Sequence, residues 1–103
     1  MQAIETKSFE LKSLNVFHGG DVCECRAAFI LDEEEGGYTV VARNLPGVVS
    51  EGDDLESATE NIKDAFREMV LSYQNGKEEI PWVDGGVEVI GQIALEKRLL
   101  VEL

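Results

Sequence analysis

The stretch from Gly52 to Pro81 reads GDDLESATENIKDAFREMVLSYQNGKEEIP and carries the strongest secondary-structure signal in the chain. Its apolar residues recur at steps of three and four, which places them on one face of an amphipathic helix. They are Leu55, Ala58, Ile62, Ala65, Phe66, Met69, Val70 and Tyr73. Asp53 can cap this helix with Glu56 reaching back to it, and Gly76 can end it. The pattern predicts one helix over about 54–75.

Length and composition predict one folded domain. The chain has 103 residues, which suits a single core, and its 44% apolar residues argue against disorder. We therefore expect one domain over 1–103. The first ten residues show no signal-peptide pattern, and no apolar run is long enough to span a bilayer. We expect a cytoplasmic protein whose two cysteines are free thiols.

The chain is strongly acidic. It has 21 acidic and 9 basic side chains, for a formal charge of −12. Such a charge repels phosphate backbones, so we do not expect direct binding of nucleic acid. It favours solubility and a basic partner, although charge alone fits a merely solvated surface equally well.

Three strands are predicted before the helix. Residues 8–17 alternate in a strand-like pattern with one change of phase, as a β-bulge near Ser13 would produce. His18-Gly19-Gly20-Asp21 is a turn signal, so residues 8–17 and 22–32 are expected to form a hairpin. An acidic turn over 32–37 leads to a third strand over 38–45, and 48–50 is a short extended piece.

The region after the helix is harder to interpret. Val87–Ile90 has a strand-like pattern, residues 91–98 fit either a strand or a loop, and the apolar run at the end predicts a strand over about 97–103. The predicted fold class is α+β, in which the helix covers an antiparallel three-stranded sheet (8–17, 22–32, 38–45) and a C-terminal strand follows.

The middle of the chain resembles the HicB antitoxin family. The resemblance rests on short motifs whose order and spacing extend over about half of the chain. These are Gly36-Gly37-Tyr38-Thr39-Val40, Asn44-Leu45-Pro46-Gly47, Glu51-Gly52-Asp53, Leu55-Glu56-Ser57-Ala58, Asn61-Ile62-Lys63-Asp64-Ala65 and Ile80-Pro81.

The resemblance implies a partial ribonuclease-H-like fold and a role without catalysis. HicB proteins bind and block HicA, a small basic RNA-cleaving toxin, so the resemblance implies a HicA-type partner. Many HicB proteins also carry a C-terminal DNA-binding element. The sequence stops at Leu103 without one, so we do not expect operator binding. The alternative function is that of a solitary HicB-like oligomeric domain with no cognate toxin.

The sequence offers little for catalysis or metal binding. Two-metal nuclease chemistry needs several converging carboxylates, whereas the acidic residues at 32–35 are adjacent in a turn and would point in different directions. Cys23 and Cys25 share one strand face near His18, but a zinc site normally needs four ligands at recognisable spacing. We predict small strand residues there, no catalytic residues, no cofactor and no metal.

The candidate partner-binding residues are the densest acidic positions and one leucine outside the apolar stripe of the helix. They are Glu33, Glu34, Glu35, Glu51, Asp54 and Leu71. We expect Trp82 to close the end of the core. The unpaired edge strands of a small sheet also predict a homo-oligomer, with the strand at 8–17 as the least protected edge.

Overall fold

Four strands and one helix make up the part of the chain that the structure describes. The computed structural model describes residues 22–103. In chain order the elements are β1 (Val22–Leu31), β2 (Tyr38–Ala42), β3 (Val49–Gly52), α1 (Leu55–Asn75) and β4 (Ile93–Glu102). The strands form one antiparallel sheet in the order β3-β2-β1-β4. Within these residues, no helix is long and apolar enough to cross a membrane.

The predicted α+β class is confirmed, with corrections to the strands. The strand expected at 8–17 lies outside the described residues, and the described neighbours of β1 are β2 and β4. The extended piece expected at 48–50 overlaps a true strand, β3, which begins at Val49, so the described sheet has four strands rather than three. The strand expected at 38–45 ends at Ala42, and the final strand starts at Ile93 rather than at 97.

The helix covers one face of the sheet, and the core lies between them. Its buried residues are spaced by four, as the sequence predicted: Ala58, Ile62, Phe66 and Val70. The sheet contributes buried residues from three strands: Cys25, Ala27 and Phe29 on β1, Val40 and Ala42 on β2, and Val101 on β4. Leu45 and Val48, in the turn between β2 and β3, complete the core. Burial of these apolar side chains is the main driving force for the helix to pack on the sheet.

Asn44 extends the contact between β1 and β2 beyond the last residue pair of their ladder. The ladder ends where Ala27 faces Ala42. Past that point, the Asn44 side chain accepts a hydrogen bond from the Arg26 backbone N–H (3.0 Å) and donates one from Nδ2 to the Glu24 carbonyl (2.8 Å). An amide side chain can do both because it carries a donor and an acceptor.

The connection from α1 to β4 is irregular but is tied to the sheet. The Val83 N–H donates to the Asn44 carbonyl (3.0 Å), and the Val87 N–H donates to the Arg43 carbonyl (2.8 Å). Arg43 also donates from Nε to the Val87 carbonyl (3.2 Å). The strand suggested for Val87–Ile90 is therefore wrong, because the backbone of Val87 bonds to a single arginine rather than to a neighbouring strand.

The expectation that Trp82 closes the end of the core is only partly met. Its side chain is 45% exposed, although its ring lies against buried Phe66 with 6.0 Å between the ring centroids. The indole therefore shields one edge of the core and leaves much of its own surface in solvent.

Candidate protein-binding site

A shallow groove lies where the β1–β2 turn, the β2–β3 edge of the sheet and the start of α1 meet. Its volume is about 440 Å³, and it is open to solvent. The lining residues are Asp32, Glu35, Gly36, Tyr38, Thr39, Glu51, Gly52, Asp53, Ser57 and Asn61. Four of these ten residues are acidic and none is basic, so the groove is a negatively charged surface.

The acidic turn on one side of the groove has a defined backbone shape. The Asp32 carboxylate accepts hydrogen bonds from the backbone N–H groups of Glu34 (3.0 Å) and Glu35 (3.1 Å). Side chains of aspartate favour such local turns. Gly36 and Gly37 follow with φ values of 78° and 80°, a backbone conformation that residues with a Cβ seldom adopt. The turn thus fixes Asp32 in its backbone network and leaves the glutamates exposed.

The start of α1 forms the other side of the groove, and its cap differs from the prediction. Asp54, not Asp53, is the N-cap: its carboxylate accepts from the Ser57 N–H (2.8 Å), and the Asp54 N–H donates to Ser57 Oγ (3.2 Å). The capping box therefore uses Ser57 rather than Glu56. Hydrogen bonds from the Ser57 backbone and side chain lower the pKa of Asp54, since they favour its charged form.

Two glycines bring the walls of the groove together. A Cβ on Gly52 would lie 2.6 Å from both the Ala58 Cα and Ser57 Oγ, so only glycine allows β3 to approach the first turn of α1 this closely. A Cβ on Gly37 would lie 2.8 Å from the Gly52 carbonyl oxygen. Asn61 then ties the helix to the sheet by donating from Nδ2 to the Glu51 carbonyl (2.7 Å).

The structure brings together some of the predicted partner-binding residues. Glu35 and Glu51 both line the groove, and the cap residue Asp54 is adjacent to it. Glu33 and Glu34 are exposed in the same turn. Leu71 is half-buried and lies about 25 Å along the helix axis from Asp54, at 1.5 Å per residue, so it does not belong to this surface.

Several groove residues were not among the predicted ones. Asp32 and Asp53 add two carboxylates, and Tyr38, Thr39 and Asn61 add polar groups. The sequence did hold a signal for Thr39. If the strand that contains Thr39 pairs with the extended segment before the helix in an antiparallel hairpin, Thr39 faces a residue of that segment. Its observed partner is Glu51. That pairing required β3 to be recognised as a strand.

The cysteines have the surroundings of small strand residues, as predicted. Cys25 is fully buried in the core, and Cys23 is half-buried on the same strand. Burial, with a smaller effect from the neighbouring Glu24 carboxylate, raises the pKa of the Cys25 thiol to about 12. Over residues 22–103, no group of three or more histidine, cysteine, aspartate or glutamate side chains is placed to hold a metal ion. His18 lies outside this range.

Comparison with solved structures gives a match to the crystal structure of the N-terminal domain of the Burkholderia pseudomallei antitoxin HicB. The TM-score is 0.53 with 23% sequence identity, and the match covers 78% of this chain and 96% of that chain. No protein-family model matches the sequence, and no curated protein matches it. At this identity the likeness establishes the fold, so the chain has the fold of that HicB domain, as the sequence resemblance implied.

Proposed function

We propose that this protein is a non-catalytic, cytoplasmic antitoxin-like domain that binds and blocks a small basic RNA-cleaving protein of the HicA type. The sequence resemblance to HicB proteins supports this proposal, and so does the fold shared with a HicB N-terminal domain. The resemblance and the shared fold are both independent of surface charge. The surface charge is therefore a separate physical argument.

The observation that carries the proposal is the acidic groove. Its four carboxylates come from the β1–β2 turn, from β3 and from the entry to α1, and no lysine or arginine lines it. A surface of one charge sign raises the encounter rate with a partner of opposite sign and disfavours partners of like charge. The groove therefore suits a basic protein and repels a nucleic-acid backbone.

The groove is also preorganised for binding. Asp32 is held by its turn, Asp54 by the capping box, and β3 by the Asn61 hydrogen bond. A preformed surface loses less conformational entropy on binding than a flexible one. We infer that a basic partner docks on this end of the domain and that the domain inhibits the partner by covering its RNA-binding surface.

The test is an RNA-cleavage assay with a small basic protein encoded next to this chain. Adding this protein at a one-to-one molar ratio should abolish cleavage, and the two should elute as one complex. Cleavage that continues with this protein in molar excess would contradict the proposal. If no neighbouring reading frame encodes such a protein, the alternative of a solitary domain without a cognate toxin is favoured instead.

A further inference from the structure

Within residues 22–103, the outer edge of β4 has no neighbouring strand. β4 has ten residues and pairs with β1 along one side only. The described residues outside the sheet provide one hydrogen bond to its backbone, from Arg67 Nε on the helix to the carbonyl of Glu102 at the end of the strand (2.7 Å). A long strand with unpaired N–H and carbonyl groups is a template for pairing with another strand.

The opposite edge of the sheet is protected. β3 has only four residues, and the Glu51 carbonyl already accepts a hydrogen bond from Asn61 (2.7 Å). Short strands and charged side chains are the usual means by which proteins block an edge. Strand pairing with another chain is therefore expected at β4 and not at β3.

The sequence of β4 is complementary to itself when it is read in the opposite direction. Two copies can pair antiparallel about a two-fold axis that lies midway between the two copies of one residue. The axis must be centred on a residue because opposed side chains lie on the same face of the sheet. With the axis at Lys97, Glu96 lies opposite Arg98 of the second copy, and Leu95 lies opposite Leu99. Symmetry repeats both pairs, so two Glu–Arg pairs flank the axis.

Neighbouring registers lack this match. With the axis at Arg98, Lys97 would face Leu99 and Glu96 would face Leu100. With the axis at Glu96, Leu95 would face Lys97 and Ala94 would face Arg98. Only the register centred on Lys97 joins charge to opposite charge and leucine to leucine. Its one unfavourable feature is Lys97 opposite itself, and the long, exposed lysine side chains can separate their ammonium groups in solvent.

The surroundings of β4 support the same register. Leu95 and Leu99 are half-buried and pack against the core, so a second copy would extend the core across the interface. Leu100, next to this stretch, is 68% exposed and would be shielded by the added strand. Before Leu95, the pairing of β4 with β1 shifts register, since Phe29 faces Leu95 and Ile30 faces Ile93. The self-complementary stretch of regular strand is therefore Leu95–Leu99.

We propose that β4 pairs with β4 of a second copy about a two-fold axis at Lys97, which joins the two sheets into one. The acidic groove is at the β3 side of the sheet, so the dimer leaves both grooves open. The inference does not depend on the proposed function.

Charge reversal tests the register. Arg98→Glu places glutamates opposite each other at both symmetric positions, and Glu96→Arg does the same with arginines. Like charges directly opposite are destabilising, so each single variant should raise the dimer dissociation constant about tenfold in sedimentation equilibrium. The double variant Glu96→Arg/Arg98→Glu restores both interchain pairs and should dimerise within about threefold of the parent.

Interactions within one chain cannot explain such a rescue. Glu96 pairs with Arg43 (3.1 Å) and Arg98 approaches Glu24 (3.8 Å), and the double variant sets like charges at both contacts. Lys63→Glu, on the helix, makes the same charge change as Arg98→Glu and should leave dimerisation unchanged. Circular dichroism confirms that each variant folds. A parent that stays a monomer at millimolar concentration, single variants that dimerise like the parent, or a double variant that stays monomeric would each overturn the proposal.

Discussion

Gly52 sets the distance between the sheet and the helix, and its lack of a side chain is a structural requirement. A Cβ at this position would collide with the backbone of Ala58 and with Ser57 Oγ. Gly52→Ala should therefore cost about 2–3 kcal/mol, because the clash is with backbone that cannot move aside without shifting the helix. For a domain of this size, that corresponds to a fall in melting temperature of roughly 10–20 °C.

The matched control for this substitution is Gly85→Ala. A Cβ on Gly85 meets nothing within 4 Å, and the residue does not have a positive φ. The melting temperature of the Gly85→Ala variant should stay within about 3 °C of that of the parent, since exposed substitutions without a special role change the free energy of unfolding by about 0.5 kcal/mol or less. Equal effects of the two substitutions would show that the close approach at Gly52 is not needed.

Asn44 stabilises the first half of β1 through two hydrogen bonds of its side chain. Its two hydrogen bonds are to backbone groups of Arg26 and Glu24, which are partly buried. Asn44→Ala leaves both backbone groups without a partner and should cost about 1–3 kcal/mol in urea unfolding. Asn44→Asp keeps the acceptor but sets a carboxylate against the Glu24 carbonyl, so it should also destabilise, and more at pH 7 than at pH 4. A variant as stable as the parent would contradict this role.

The Cys25 thiol should be inert in the folded protein. It is fully buried, and its pKa is raised to about 12, so the reactive thiolate is nearly absent at pH 8. In a Cys23→Ser variant, iodoacetamide at pH 8 should leave Cys25 unmodified for hours and should alkylate it rapidly in 6 M guanidinium. Mass spectrometry gives the readout. Rapid alkylation without denaturant would mean that β1 is not covered by the helix.

At the scale of whole elements, the capping box makes the start of α1 sensitive to acid. The pKa of Asp54 is lowered in the folded state, so its contribution to stability is present above its ordinary value near 3.8 and is lost as the pH falls through the lowered value. Asp54→Asn keeps the capping hydrogen bond without the titrating group. The variant should lose less stability than the parent between pH 4 and pH 2. Identical pH profiles would mean that the carboxylate is not the acid-sensitive group.

The elements that could be predicted from the sequence are those with strong local patterns. The helix was placed within one residue because its apolar spacing and its end signals agree, and the strand over 22–32 was placed equally well by its alternation. β3 was underestimated because four residues hold too little pattern. The start of β4 depends on pairing with β1. Val87–Ile90 alternates like a strand, although the backbone of Val87 bonds to Arg43 instead of to a strand.

The acidic groove shows the same division between local pattern and tertiary contact. Glu35 and Glu51 stood out by charge density alone, and the structure places both on one groove. Asp32 and Asp53 were predicted in the acidic turn and at the helix entry, but their place on one groove depends on the close approach at Gly52, which no local pattern reveals. Leu71 was predicted to bind a partner because it falls outside the apolar stripe of the helix. Its position along the helix axis, far from the first turn, keeps it away from the groove.

At the scale of the whole molecule, the two outer strands of the described sheet differ in length and in the charge around them. The β3 edge lies beside the carboxylates of the groove, and its Glu51 carbonyl is bonded to Asn61, whereas β4 has equal numbers of acidic and basic residues and, within residues 22–103, no neighbouring strand on its outer side. A dimer formed through β4 would therefore present two acidic grooves, and it could bind two basic partners without rearrangement. Toxin binding and dimerisation should then be independent, so Arg98→Glu should weaken the dimer without changing the affinity of each groove.

The association rate with the proposed basic partner tests the central claim most directly. Glu35→Gln/Glu51→Gln removes two groove charges, and Glu68→Gln/Glu78→Gln removes two exposed charges at the far end of the helix. At about 0.1 M salt, charges farther than about 10 Å are largely screened. The groove pair should slow association about threefold to tenfold with a smaller effect on dissociation, and the control pair should change it less than about twofold. Equal rates for the two variants would contradict the groove as the binding site.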